Sequence, residues 1–153
     1  MSAGGYDRDM RPGTEDHDLA RALSVLHRQV ALRYGAGARE AGLTLQQAEL
    51  LCQLEHSTPS FGELARLLGC DKTNVTGMVD RLERRGLVRR APDPADRRVS
   101  RVTLTDEGRE AGRRLRETFA GVVAEKCATL SASDRDTLAR LGSAAARALE
   151  ERR

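Results

Sequence analysis

Eight arginines, Arg81, Arg84, Arg85, Arg89, Arg90, Arg97, Arg98 and Arg101, crowd the stretch between Arg81 and Arg101, which holds only three acids, Glu83, Asp93 and Asp96. Guanidinium groups at this density bind phosphate oxygens through forked, charge-assisted hydrogen bonds. The 153-residue chain carries a formal charge of only +3, so the basic character is local, as on a surface that docks on a polyanion. Just upstream stand Lys72, Thr73, Asn74, Thr76 and Gly77. Their side chains are mostly short and polar, or absent, and such residues can approach base edges.

Residues with this chemistry need elements to hold them. Leu64, Leu67 and Leu68 repeat at helical spacing, Ser60 caps their start with Glu63 as its capping-box partner, and Gly69 ends the segment, so a helix is predicted over Phe61 to Leu68. Asp71 is a good N-cap for a second helix reaching Arg85, stopped by Gly86. On its wheel Val75, Met78, Val79 and Leu82 form the core face. Thr73, Thr76, Gly77, Asp80 and Arg84 face outward, flanked by Asn74 and Arg81. A solvated amphipathic helix would show the same wheel, but this one is followed by two alternating, β-branched runs, Leu87–Arg90 and Val99–Leu104. Those runs predict a hairpin whose tip, Ala91–Arg98, is stiffened by Pro92 and Pro94. Helix, tight turn, helix and basic hairpin are the parts of a reader of duplex DNA, in which the second helix lies in the major groove.

The segment Leu43–Gly108 resembles the winged helix-turn-helix of the MarR family of bacterial transcriptional regulators. The carriers are Leu43-Thr44, Glu63-Leu64-Ala65, Val75-Thr76, Val79-Asp80-Arg81-Leu82-Glu83, Gly86-Leu87-Val88, Asp93-Pro94-x-Asp96-x-Arg98 and Leu104-Thr105-x-x-Gly108. The resemblance implies that the helix from Lys72 enters the major groove and that the wing tip places an arginine in the adjacent minor groove. The family's Asp-x-Arg wing motif falls on Asp96 and Arg98, which makes Arg98 the first choice for that contact and Arg97 the second, with Asp96 orienting the arginine. Arg84 and Arg85 are expected to hold phosphates of any duplex.

The expected fold is mainly α (α+β): a winged helix-turn-helix at about 43–104, with N- and C-terminal helices at about 15–36 and 106–151 forming a homodimer interface. Residues 1–14 are expected as a flexible polar arm and 15–153 as a single domain. Leu19, Leu23, Leu26 and Val30 on a first helix (about Asp16–Tyr34) and Leu138, Leu141, Ala145 and Leu149 on a last one (about Asp134–Glu150) repeat at helical spacing. Long terminal helices leave apolar faces that a subunit of this size cannot bury alone, which favours a dimer. Between them, Thr105 is expected to cap a helix running to about Leu130, and Ser131 or Ser133 to start the last one. Two recognition helices related by a two-fold axis would read half-sites roughly 34 Å apart, so the operator should be an imperfect palindrome.

No segment reaches the about 18 apolar residues of a membrane span, and the N-terminus lacks a basic head followed by an apolar run, so a cytoplasmic protein is expected. Cys52, Cys70 and Cys127 form an odd, widely spaced set that reads poorly as a disulfide framework. Cys70 is read as an apolar plug in the helix-turn-helix turn. Cys52 and His56, four apart, offer one edge of a metal site with His27 or His17 and nearby acids as completions, but two ligands do not make a site. No phosphate loop, Cys-x-x-Cys, His-Glu-x-x-His or Gly-x-Ser-x-Gly run is present, so no enzyme activity and no cofactor are expected.

The functional expectation is a ligand-responsive transcriptional repressor binding a palindromic operator in double-stranded DNA as a homodimer. The alternatives are a winged-helix module that binds protein without DNA, and a metal-responsive regulator. By the family resemblance, a small anionic or aromatic effector would lie between the dimer helices and the winged domain. Its pocket would draw on His27, Val30, Ala31 and Tyr34, on Ala48, Leu51 and Cys52, and on Arg113, Arg116 and Phe119.

Overall fold

The computed structural model describes residues 13–150. The helices are α1 (Thr14–Glu40), α2 (Leu45–Gln53), α3 (Phe61–Leu67), α4 (Lys72–Arg84), α5 (Asp106–Lys126) and α6 (Ala132–Glu150), with strands β1 (Val88–Pro92) and β2 (Ser100–Leu104) between α4 and α5. Local chemistry sets most of these bounds. Thr44 and Ser60 each close a capping box, with Gln47 and Glu63 as the return partners. Asp71 accepts from the Asn74 amide at 2.8 Å to start α4. Gly69 follows α3 at φ +62° and Gly86 follows α4 at φ +70°, a left-handed turn that side chains resist.

The strands pair antiparallel with Val88 opposite Leu104 and Pro92 opposite Ser100. The N–H of Val102 donates to the Pro59 carbonyl at 3.0 Å, and Ser60 forms an isolated bridge with Arg101, so the segment before α3 lies along the outer edge of the wing. Buried Leu50, Leu51, Leu64, Val75, Val79, Leu82, Val88 and Val102 form one core under the helix-turn-helix and the hairpin. The chain is mainly α with one small antiparallel sheet, a winged helix-turn-helix carried between long terminal helices.

Several bounds differ from those expected. The arm over 1–14 lies outside the described residues apart from Gly13 and Thr14, and Gly13 is already the N-cap of α1. α1 runs six residues beyond Tyr34 because its second half is packed. Ala38 is buried in the core, and a side chain on Gly37 would meet the Thr118 methyl of α5 at 3.3 Å. The first strand reaches Pro92 instead of stopping at Arg90, since an edge position tolerates a residue without an N–H. α5 ends at Lys126, where Cys127 leaves the helix and the turn to α6 begins, and Ser131 caps α6 by accepting from the Asp134 amide at 3.1 Å.

The junction from wing to α5 is tight. Thr105 Oγ1 accepts from Gly108 N at 3.0 Å, capping α5, and donates to the Gly86 carbonyl at 2.6 Å. Gly108 lies directly on the Leu87 carbonyl, where no Cβ fits. This is the physical content of the Leu104-Thr105-x-x-Gly108 pattern.

Candidate nucleic-acid interface

Packing leaves one face of α4 uncovered. Val75, Met78, Val79 and Leu82 are buried, whereas Lys72, Thr73, Asn74, Thr76, Arg81 and Arg84 are exposed and Gly77 is half-buried. Some of these groups already have partners. Asn74 donates its side-chain amide to Asp71 at 3.1 Å, and Thr76 donates its hydroxyl to the Lys72 carbonyl at 2.8 Å, which leaves Thr76 an acceptor and a methyl group to offer. The stem of Lys72 lies over Gly62 at the start of α3. Arg84 Nε donates to the Asp80 carbonyl at 3.2 Å, one turn back, keeping its terminal nitrogens for other acceptors. Gly77 has open space where a Cβ would stand, so nothing inside the chain requires glycine there.

The wing presents Arg97 and Arg98 at its tip, both exposed. Asp96 Oδ1 accepts from Arg98 N at 3.0 Å and lies 3.3 Å from its Nε, while the Arg98 side chain is 93% exposed. A concave strip of about 280 Å³ runs between Arg90, Ala91, Pro92, Arg97, Arg98 and Ser100. Thr73, Asn74, Thr76 and Gly77 thus stand on one helix and Arg97 and Arg98 on the adjoining hairpin, each free of the core.

The arginine excess divides into two groups, a division the one-dimensional count does not reveal. Arg85 is not available to phosphates in the expected way: its guanidinium donates to the carbonyls of Gly42 and Ala41, at 2.6 and 3.0 Å, and ties the end of α4 to the end of α1. Arg90 pairs with Asp80 and Glu83 of α4 and lies 5.3 Å from the centre of the Phe61 ring. Asp80, expected as an outward surface residue, is therefore an anchor for β1. Arg101 pairs with Asp93 and Glu63. Arg81, Arg84, Arg97 and Arg98 are exposed and make no side-chain bond to another element among the described residues, while Arg89, also exposed, bonds Thr103 across the hairpin. Asp93, one of the three acids of the arginine-rich stretch, is 7% exposed, and its carboxyl is held below the usual carboxylate range by the Ala95 amide and by Arg101.

The residues expected around an effector come together only in part. Tyr34 and Cys52 meet each other, hydroxyl to sulfur at 2.7 Å, and Tyr34 stacks edge-on against Phe119 at 5.4 Å. Burial, followed by the Cys52 contact, pushes the Tyr34 hydroxyl well above its ordinary pKa. Ala48 and Leu51 are core residues, and His27 is exposed on α1. Arg113 and Arg116 instead line a separate cleft of about 520 Å³ with Leu54, Glu55, Leu104, Asp106, Arg109 and Glu110. The cations of that cleft are paired: Arg109 with Asp106, Arg113 with Glu110 and Glu117, and Arg116 with the largely buried Glu55. Arg113 and then Arg114 hold the Glu110 carboxyl down to about 2. Cys52 and His56 gain no third ligand, since no cluster of three metal-binding side chains occurs among the described residues. Cys70 packs against the core, and Cys52, Cys70 and Cys127 are free thiols. No helix among the described residues is long and apolar enough to cross a membrane.

Comparison with known proteins finds similar sequences and structures. A family model described as the MarR family matches residues 43–100. The chain is 41% identical over 96 residues to the transcriptional activatory protein BadR of Rhodopseudomonas palustris, covering 60% of this chain and 52% of that one. It is 35% identical over 97 residues to the transcriptional repressor NicR of Pseudomonas putida, covering 60% of this chain and 61% of that one. The chain therefore spans about half to three fifths of these two relatives. Among solved structures, RV1404 from Mycobacterium tuberculosis superposes with a TM-score of 0.77 at 26% identity, covering 94% of this chain and 99% of that one.

Proposed function

We propose that this chain, which belongs to the MarR family, is a sequence-specific double-stranded DNA-binding transcriptional regulator that represses by occupying a palindromic operator as a homodimer. The observation that carries the reading is the α4 face. Its polar residues stand clear of the core, and its Gly77 leaves room for a surface to approach closely beside the Arg97 and Arg98 tip. Thr73, Asn74 and Thr76 are assigned to base edges, Lys72, Arg81 and Arg84 to phosphates, and Arg98, with Arg97 beside it, to the minor groove flanking the helix.

A second copy as partner is supported by leucines left exposed among the described residues. Leu19 and Leu26 of α1 and Leu138, Leu141 and Leu149 of α6 are between 44% and 77% exposed. Apolar side chains spaced along two terminal helices in this way mark an interface. Repression is the simpler outcome of such a dimer on an operator, because occupancy alone excludes polymerase; the relatives include both a named activator and a named repressor. We assign the effector site to the 520 Å³ cleft between the turn after α2, the end of β2 and α5, since a ligand there would meet the Glu55–Arg116 pair that joins the winged unit to the long helix.

Titration of labelled duplexes against the full chain at rising salt tests the proposal. Affinity should fall steeply, with log affinity linear in log salt, as counterions are released from contacted phosphates. A protein-binding winged helix would give a flat line.

A further inference from the structure

We propose that Arg101 is a positioning residue for DNA recognition: it stays off the duplex and, through Asp93, clamps the wing tip to the start of α3, so setting where Arg98 reaches. The inference rests on the DNA-binding reading above. Arg101 projects from β2 and its guanidinium is shared by three acceptors. It pairs with Asp93 at the wing tip, donates to the Thr58 carbonyl at 2.8 Å, and reaches Glu63 of α3 at 3.4 Å. Glu63 also accepts from Ser60 N at 2.7 Å, so the same carboxylate caps α3 and receives the wing.

On the other side of the clamp, Asp93 divides its oxygens. Oδ2 takes Arg101, while Oδ1 accepts from Ala95 N at 2.7 Å and Asp96 N at 3.3 Å, folding the tip. Asp96 then receives Arg98 through both N and Nε. An unbroken chain of charge-assisted bonds thus runs from the α3 cap through Arg101, Asp93 and Asp96 to Arg98. With two carboxylates on it, Arg101 has no unneutralised charge left for a phosphate. The backbone follows the same path, since Val102 N donates to Pro59 O and Ser60 bridges Arg101.

The sign of one substitution separates positioning from simple charge. Asp93→Asn removes an acid from a DNA-facing hairpin, so electrostatics alone predicts tighter binding, whereas loss of the clamp predicts weaker binding. We expect Asp93→Asn and Arg101→Met each to weaken operator affinity about tenfold, the size of one lost base-edge arginine contact. The double variant should be no weaker than the weaker single, and Arg98→Ala should cost little once Arg101 is gone. In DNA-free protein, hydrogen exchange at the Val102 and Ala95 amides should accelerate in both single variants, with the α4 amides unchanged. Tighter binding by Asp93→Asn, additive losses, or unchanged exchange at Val102 would each overturn the proposal. If the unaltered chain binds no duplex, the functional reading falls, and the exchange measurement still decides whether the clamp exists.

Discussion

Gly77 lies inside α4 with open space where a Cβ would stand. A mid-helix glycine costs about 1 kcal/mol against alanine, so Gly77→Ala should raise thermal stability by about that amount while weakening operator binding; a variant that gained stability and kept its affinity would remove α4 from the groove. At Arg98 the outcome is a loss of about 1 to 3 kcal/mol on replacement by alanine, read from the same titration. Arg85 behaves differently, because its guanidinium serves the carbonyls at the end of α1. Arg85→Ala should lower the melting temperature and leave the salt slope of binding unchanged, whereas a shallower slope would return it to the phosphate contacts. The wing carboxylates bear on pH. Asp93 and Glu63 are both held below the ordinary carboxylate range, Asp93 first by the Ala95 amide and Glu63 first by the Ser60 amide. A depressed folded-state value means that their contribution is complete above the unfolded value and is lost as pH falls through the folded one. Exchange at Val102 should therefore be level from pH 7 to 5, after correction for intrinsic rates, and accelerate only below the ordinary carboxylate range.

At the scale of the element, the capped helices and their glycine stops were readable from the chain, because Ser60-x-x-Glu63, Asp71 with Asn74, Gly69 and Gly86 are local signals completed within a few residues. The wing's attachments were not. Arg90 reaches Asp80 ten residues back, and Arg101 reaches Glu63 thirty-eight residues back, distances over which no periodicity carries information. For the same reason the local arginine excess looked like one cationic surface when part of it is internal bracing. The contact of Tyr34 with Cys52, and the cleft that Arg113 and Arg116 line, likewise join residues of different elements. The extension of α1 to Glu40 follows from burial of Ala38 and the approach of Thr118, neither visible in the helix's own pattern. Gly108 shows the reverse case, a motif position whose cause is steric. Gly108→Ala should displace α5 from the Leu87 carbonyl and cost more than about 2 kcal/mol, in the range of severe packing substitutions; a denaturation midpoint within error of the unaltered chain would contradict that packing.

For the whole molecule, the winged unit shares one core with Ala38 of α1 and Leu115 of α5, while α6 is exposed along nearly all its described length. A helix in that state needs a partner surface. Leu149→Arg should convert the proposed homodimer to monomer in sedimentation and, by separating its two recognition helices, reduce operator affinity far more than half-site affinity. The central claim, a dimer that reads a two-fold DNA sequence, is tested most directly by selecting bound sequences from a random duplex pool with the full chain and titrating the winner at two salt concentrations. The expected result is a palindromic winner with half-sites about one helical turn apart and a steep salt slope. A pool that shows no enrichment after repeated rounds would contradict it.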